Sequence, residues 1–100
     1  MSTETAHLFL NPTAGRGRAG KRAARIEELL SQPGVHVEVH RSTAVGDLEE
    51  QVRLHVKNGG QCVVVAGGDG SIHEAANGIL RGGGGAALGV VPTGTGNDFA

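Results

Sequence analysis

The segment from Cys62 to Leu80 constrains this chain more than any other, because its apolar pattern changes period half-way along. The β-branched run Val63 to Val65 breaks at Gly67-Gly68-Asp69-Gly70, and apolar residues return at Ile72, Ala75, Ala76, Ile79 and Leu80. An unbroken apolar run suits a buried strand, and the later spacing marks one face of a helix. A strand, a glycine turn and a helix are therefore expected, with Asp69 or Ser71 capping the helix. Glycine lets the backbone take positive φ and keeps Cβ atoms away from a ligand, while the first N–H groups of a helix lack partners inside it. Such an end favours an anion, phosphate above all. A plain strand-to-helix turn uses the same residues, so the remainder of the chain has to decide.

Taken in order, His7-Leu-Phe-Leu10 is a short apolar run closed by Asn11-Pro12, and proline cannot continue a central strand. A glycine- and arginine-rich loop follows, and Ala19, Ala23, Ile26 and Leu30 then recur at helical spacing up to Pro33-Gly34. Val35, Val37 and Val39 alternate with His36, Glu38 and His40, which predicts a second strand with one polar face near a sheet edge. Asp47 and Glu50 have the form of a capping box before a helix with Leu48, Val52, His55 and Val56 on one face, ending at Asn58-Gly59-Gly60. After the central segment, Gly82 to Gly85 form a flexible connector, and Ala87 to Val91 a fourth strand closed by Pro92. Regular β-α alternation with apolar strands predicts an α/β, Rossmann-like parallel sheet. Loops after parallel strands open at one edge, where ligands bind. Those at residues 11–17, 67–71 and 92–97 are rich in glycine and hydroxyls, so a shared phosphate site fits better than coincidental turn chemistry.

Composition removes several function classes. Phe9 and Phe99 are the only aromatic residues besides histidine, and the formal net charge is −1, so neither stacking platforms nor a basic field for nucleic acid are expected. Cys62, the single cysteine, opens an apolar strand and is expected to pack as a small buried hydrophobe. Without a leader pattern or a membrane-length apolar run, the expected location is cytoplasmic, with peripheral contact at a membrane. Asn97-Asp98-Phe99-Ala100 reads as the start of a helix, so the chain is expected to be a fragment or to be completed by something else. Oligomeric state is left open, a homo-oligomer included.

Three other motifs compete. Gly15-Arg-Gly17-Arg-Ala-Gly20 fits a dinucleotide fingerprint, but Asn11-Pro12-Thr13-Ala14 separates it from the strand, and the acidic candidate Glu38 lies inside strand two rather than at its tip. The same stretch through Lys21 matches a Walker loop, except that Arg22 stands where a hydroxyl must ligate magnesium. Cations at that helix start oppose its dipole by about a few tenths of a kcal/mol, which an incoming polyphosphate would offset. The histidines at 7, 36, 40, 55 and 73 are dispersed, so no metal site is expected from them.

Asn11-Pro12-Thr13-Ala14-Gly15, Gly67-Gly68-Asp69-Gly70-Ser71-Ile72-His73-Glu74 and Pro92-Thr93-Gly94-Thr95-Gly96-Asn97-Asp98-Phe99-Ala100 together resemble the catalytic domain of the diacylglycerol kinase family. That family includes bacterial lipid kinases and sphingosine kinases and is related more distantly to NAD kinases. The resemblance spans residues 7 to 100 in the family's order, with two departures: Ser71 replaces the commoner threonine, and His73 stands where asparagine is frequent.

The resemblance implies an ATP-dependent lipid kinase, acting on a hydroxyl such as that of diacylglycerol or a sphingoid base, with ATP and Mg2+ as cofactors. It implies that Asn11, Pro12, Thr13, Ala14 and Gly15, with Gly68, Asp69, Gly70, Ser71, Ile72, His73 and Glu74, surround the ATP phosphates and ribose. Thr43 is similar to the family threonine near the adenine and Thr95 to the hydroxyl of the third loop, while Asp69 and Asp98 match acidic positions tied to magnesium and activity. Residues 1–100 would then be the N-terminal, nucleotide-binding part of a larger catalytic domain. A C-terminal β-rich domain, outside this chain, would supply the lipid surface and further acids, the general base among them. On that expectation the 100-residue chain alone binds nucleotide weakly and catalyses little. The alternatives are an NAD kinase-like enzyme and a non-catalytic nucleotide-binding module.

Overall fold

The computed structural model describes residues 4–11, 25–44 and 46–92. Strand β1 (Glu4–Leu10) is followed by helical residues 25–30 (α1), β2 (Val35–Arg41), α2 (Asp47–Lys57), β3 (Cys62–Gly67), α3 (Asp69–Arg81) and β4 (Ala87–Pro92). The strands form one parallel sheet in the order β2-β1-β3-β4. The expected α/β sheet is thus the observed one.

Alternation along the strands sends successive side chains to opposite faces, and each face has its own helices. Phe9, Val63 and Val65 pack with Leu48, Val52 and Val56 of α2 and Ala75 and Ile79 of α3. Leu8, Leu10, Val37 and Ala66 pack with Ile26 of α1 on the other side. The sheet is therefore the middle of three layers. Leu8, Phe9 and Leu10 are fully buried, as the central position of β1 requires, and each such side chain contributes about 1.5–3 kcal/mol. At the edge, only Val37 of β2 is buried, in keeping with its alternating pattern.

Helices α2 and α3 meet through glycine. A Cβ on Gly78 would lie 2.6 Å from the carbonyl oxygen of Glu49 and 2.8 Å from Val52 Cβ, and one on Gly82 2.8 Å from the Arg53 oxygen. Glycine four residues apart on one helix lets two backbones approach more closely than side chains permit. Across the same seam, Arg81 Nη1 donates to Glu49 Oε2 at 2.7 Å.

Four local expectations need correction. Strand β1 starts at Glu4 rather than His7, because β2 offers it partners along its whole length, from Glu4↔Val35 to Leu10↔Arg41. Cys62 is exposed: it is the first residue of β3 and projects beyond the packed layer. Leu80, although at helical spacing, is 71% exposed. The capping box is not formed, because Gly46 occupies the N-cap in the left-handed region (φ 85°), Asp47 is already helical, and Glu50 is taken by Arg53. That pairing holds the Glu50 carboxyl below its usual pKa, chiefly through the hydrogen bond from Arg53.

Candidate functional site

The register of the sheet brings the strand ends to one level. Leu10 pairs with Ala66 and with Arg41, Ala66 pairs with Val91, and Gly67 pairs with Pro92. Loops after β1, β2, β3 and β4 therefore leave from the same edge. From β1 the chain moves to β2 on one side, then passes back across to β3 on the other. That reversal opens a crevice between the ends of β1 and β3, where ligands of open α/β sheets bind. Asn11, half-buried, stands on one lip and Gly67-Gly68 on the other.

The second lip is more sharply turned than the sequence suggests. Helix α3 begins at Asp69, with Gly68 as its N-cap (φ −100°, ψ −159°) and no side-chain capping bond, so neither Asp69 nor Ser71 is the cap. Its first backbone bond runs from Ile72 N to Gly68 O at 3.0 Å, which leaves the preceding N–H groups without acceptors inside the helix. Gly68 and Gly70 have nothing within 4 Å of where a Cβ would stand. Backbone amides at this helix start can thus be approached from outside. Gly67 is bare for a different reason: a Cβ there would come within 2.6 Å of Ser71 Oγ. Ser71 is buried beneath the turn, whereas Asp69 is exposed in the first turn of α3.

The remaining expected residues divide. Thr43 lies just past β2 on the same edge, and its N–H and Oγ1 both donate to Asp47 Oδ2, at 2.8 and 3.3 Å. Asp47 fixes Thr43 and was not anticipated in that role; the only trace in the sequence is a carboxylate four residues after a threonine. Ile72 is half-buried against the α2-side core. His73 is exposed and contacts the Asn77 amide through Nε2 at 3.1 Å. Glu74 turns towards α2, where its Oε1 accepts from Glu49 N at 3.3 Å and serves a free donor in the first turn of that helix. Glu74 therefore braces the helix pair. Pro12, Thr13, Ala14, Gly15, Thr95 and Asp98 lie outside the described residues.

Comparison with known proteins places this arrangement. The model of the diacylglycerol kinase catalytic domain matches residues 5–100. The chain belongs to that family. A diacylglycerol kinase of Bacillus subtilis is 35% identical over 95 residues, covering 95% of this chain and 31% of the relative. A probable lipid kinase (YegS-like) of Klebsiella pneumoniae is 34% identical over 104 residues, covering 100% of this chain and 33% of the relative. Among solved structures, a diacylglycerol kinase from Bacillus anthracis superposes with a TM-score of 0.70 at 26% identity, over 99% of this chain and 36% of that one. The chain thus spans about a third of the length of these family members. Among the described residues, no helix is long and apolar enough to cross a membrane.

Proposed function

We propose that this chain is the nucleotide-binding portion of a lipid kinase that transfers the γ-phosphoryl group of ATP to a lipid hydroxyl, such as that of diacylglycerol or a sphingoid base. The observation that supports the reading most directly is the β1/β3 crevice beside an uncapped, glycine-flanked start of α3. Phosphoryl transfer requires alignment and charge neutralisation more than covalent help from the protein. Backbone N–H groups from Gly68 to Ser71 supply donors and the positive end of a helix dipole, which suit the phosphates. Asn11 approaches from the opposite lip, and Thr43 stands further along the edge for the base.

Asp69 would repel a triphosphate unless a cation stood between them. Its exposed carboxylate is a hard oxygen ligand of the kind Mg2+ prefers, alongside phosphate oxygens. When bound, magnesium supplies charge neutralisation; the residues of this chain supply position. The contacts to the lipid acceptor and the base that takes its proton belong, on this reading, to parts of the protein outside residues 1–100.

The test is phosphate transfer from labelled ATP by the full-length protein, with diacylglycerol, a sphingoid base and NAD offered side by side. A labelled lipid is the expected product, and labelled NAD alone would overturn the lipid assignment. Retained ATP binding without transfer to any acceptor would favour a binding module. In a calorimetric titration with ATP, Asp69→Asn is expected to abolish magnesium-dependent nucleotide binding; unchanged binding would reduce Asp69 to a helix-start residue.

A further inference from the structure

On the α2 side of the sheet, β1 and β2 run in the register Thr5↔His36, His7↔Glu38 and Phe9↔His40. Paired residues of parallel neighbours share a face, so three histidines or carboxylates separated in sequence meet there. His7 Nδ1 lies 3.0 Å from His40 Nε2 and 3.2 Å from Glu38 Oε2, and His40 Nε2 is 3.8 Å from the same oxygen. Donors around a tetrahedral ion with ligand distances of about 2.0–2.2 Å stand about 3.3–3.6 Å apart. The three separations bracket that spacing. An ion could be seated with shifts of a few tenths of an ångström.

We propose that His7, Glu38 and His40 form a binding site for a divalent ion of the zinc class, with the fourth coordination position left to an exchangeable ligand. Two imidazole nitrogens and one carboxylate suit zinc, cobalt or nickel, whereas magnesium and calcium select oxygen donors. The site is therefore chemically distinct from the magnesium of the nucleotide reading, and it does not depend on that reading. Without an ion the three atoms share hydrogen bonds whose direction depends on the ring tautomers, and a single cation can instead take one lone pair from each.

The surroundings hold the donors in place while leaving access. Phe9 stacks on His40 with ring centroids 4.5 Å apart, and His55 packs against His7 at 4.3 Å. His55 is itself tied through Nε2 to the Cys62 carbonyl at 3.2 Å. The side chains of His7, His40 and Glu38 are 24%, 30% and 52% exposed. An adjoining cleft of about 410 Å³ is lined by His7, His55, Gln61 and the exposed Cys62, among others, and lies towards the start of β3, away from the nucleotide edge. A bound ion would clamp the edge strand β2 to β1.

The test is titration of the metal-free full-length protein with Co2+, followed by Zn2+ displacement. One equivalent of Co2+ is expected to bind with micromolar affinity and with the intense visible bands of a four-coordinate site. Zn2+ should displace it, and millimolar Mg2+ should not. Saturating Zn2+ should also raise Tm. His40→Ala and Glu38→Gln are expected to weaken binding by at least about tenfold, with His73→Ala without effect. Glu38 is exposed on an edge strand, so its glutamine variant keeps the experiment interpretable should His40→Ala fail to fold. Absence of stoichiometric binding would overturn the site, and so would binding that Glu38→Gln leaves unchanged.

Discussion

Helix α3 carries glycines at both ends, and the two sets are bare for opposite reasons. At its start, Gly68 and Gly70 have open space where a Cβ would be; towards its end, Gly78 and Gly82 have another helix there. The first pair keeps the backbone accessible to something from outside, and the second keeps it accessible to α2. Glycine frequency alone cannot separate these uses, but the space around the missing side chain does.

The contrast is broken most severely by adding a methyl group at the packed end. Gly78→Ala puts an atom into the Glu49 backbone and is expected to cost about 1–3 kcal/mol, read as a lower urea midpoint at unchanged slope. An unshifted midpoint would mean the helices have slack that the geometry denies. At the open end Gly70→Ala should behave the other way round. Stability should hold or rise by about 0.5–1 kcal/mol, while nucleotide affinity measured calorimetrically falls about tenfold, or 1.4 kcal/mol. Glu74→Ala sharpens the boundary between the two ends: loss of its bond to Glu49 N should cost about 1 kcal/mol of stability and leave nucleotide affinity as it was. A fall in affinity would return Glu74 to the site. Smallest of all, Asp47→Asn keeps an acceptor for Thr43 but removes a charge from the first turn of α2, worth about 0.3–1 kcal/mol in a thermal melt.

Strand and helix order could be read from the sequence because period and punctuation agree there: Val63 to Val65 ends in glycine, and Val35 to Val39 alternates cleanly. What escaped was non-local. Glu4 to Ala6 join β1 because β2 pairs with them, not because their own side chains demand it. His7 and Glu38 sit side by side only through strand register, so histidines scattered in sequence gave no hint of a cluster. The capping box failed through competition, as Thr43 holds Asp47 and Arg53 holds Glu50. At the candidate site, the glycine turn before α3 was legible because its residues are consecutive. The roles of Ser71 beneath the turn and Glu74 against α2 depend on packing that a linear motif does not record.

The bare backbone of α3 at Gly78 and Gly82 lies directly against Val52, Val56 and the Glu49 and Arg53 carbonyls, which leaves α2 and α3 no room to slide past one another. Their amide protons should therefore exchange through one shared opening event rather than two, and a ligand that slows exchange at Gly70 should slow it at Val52 as well.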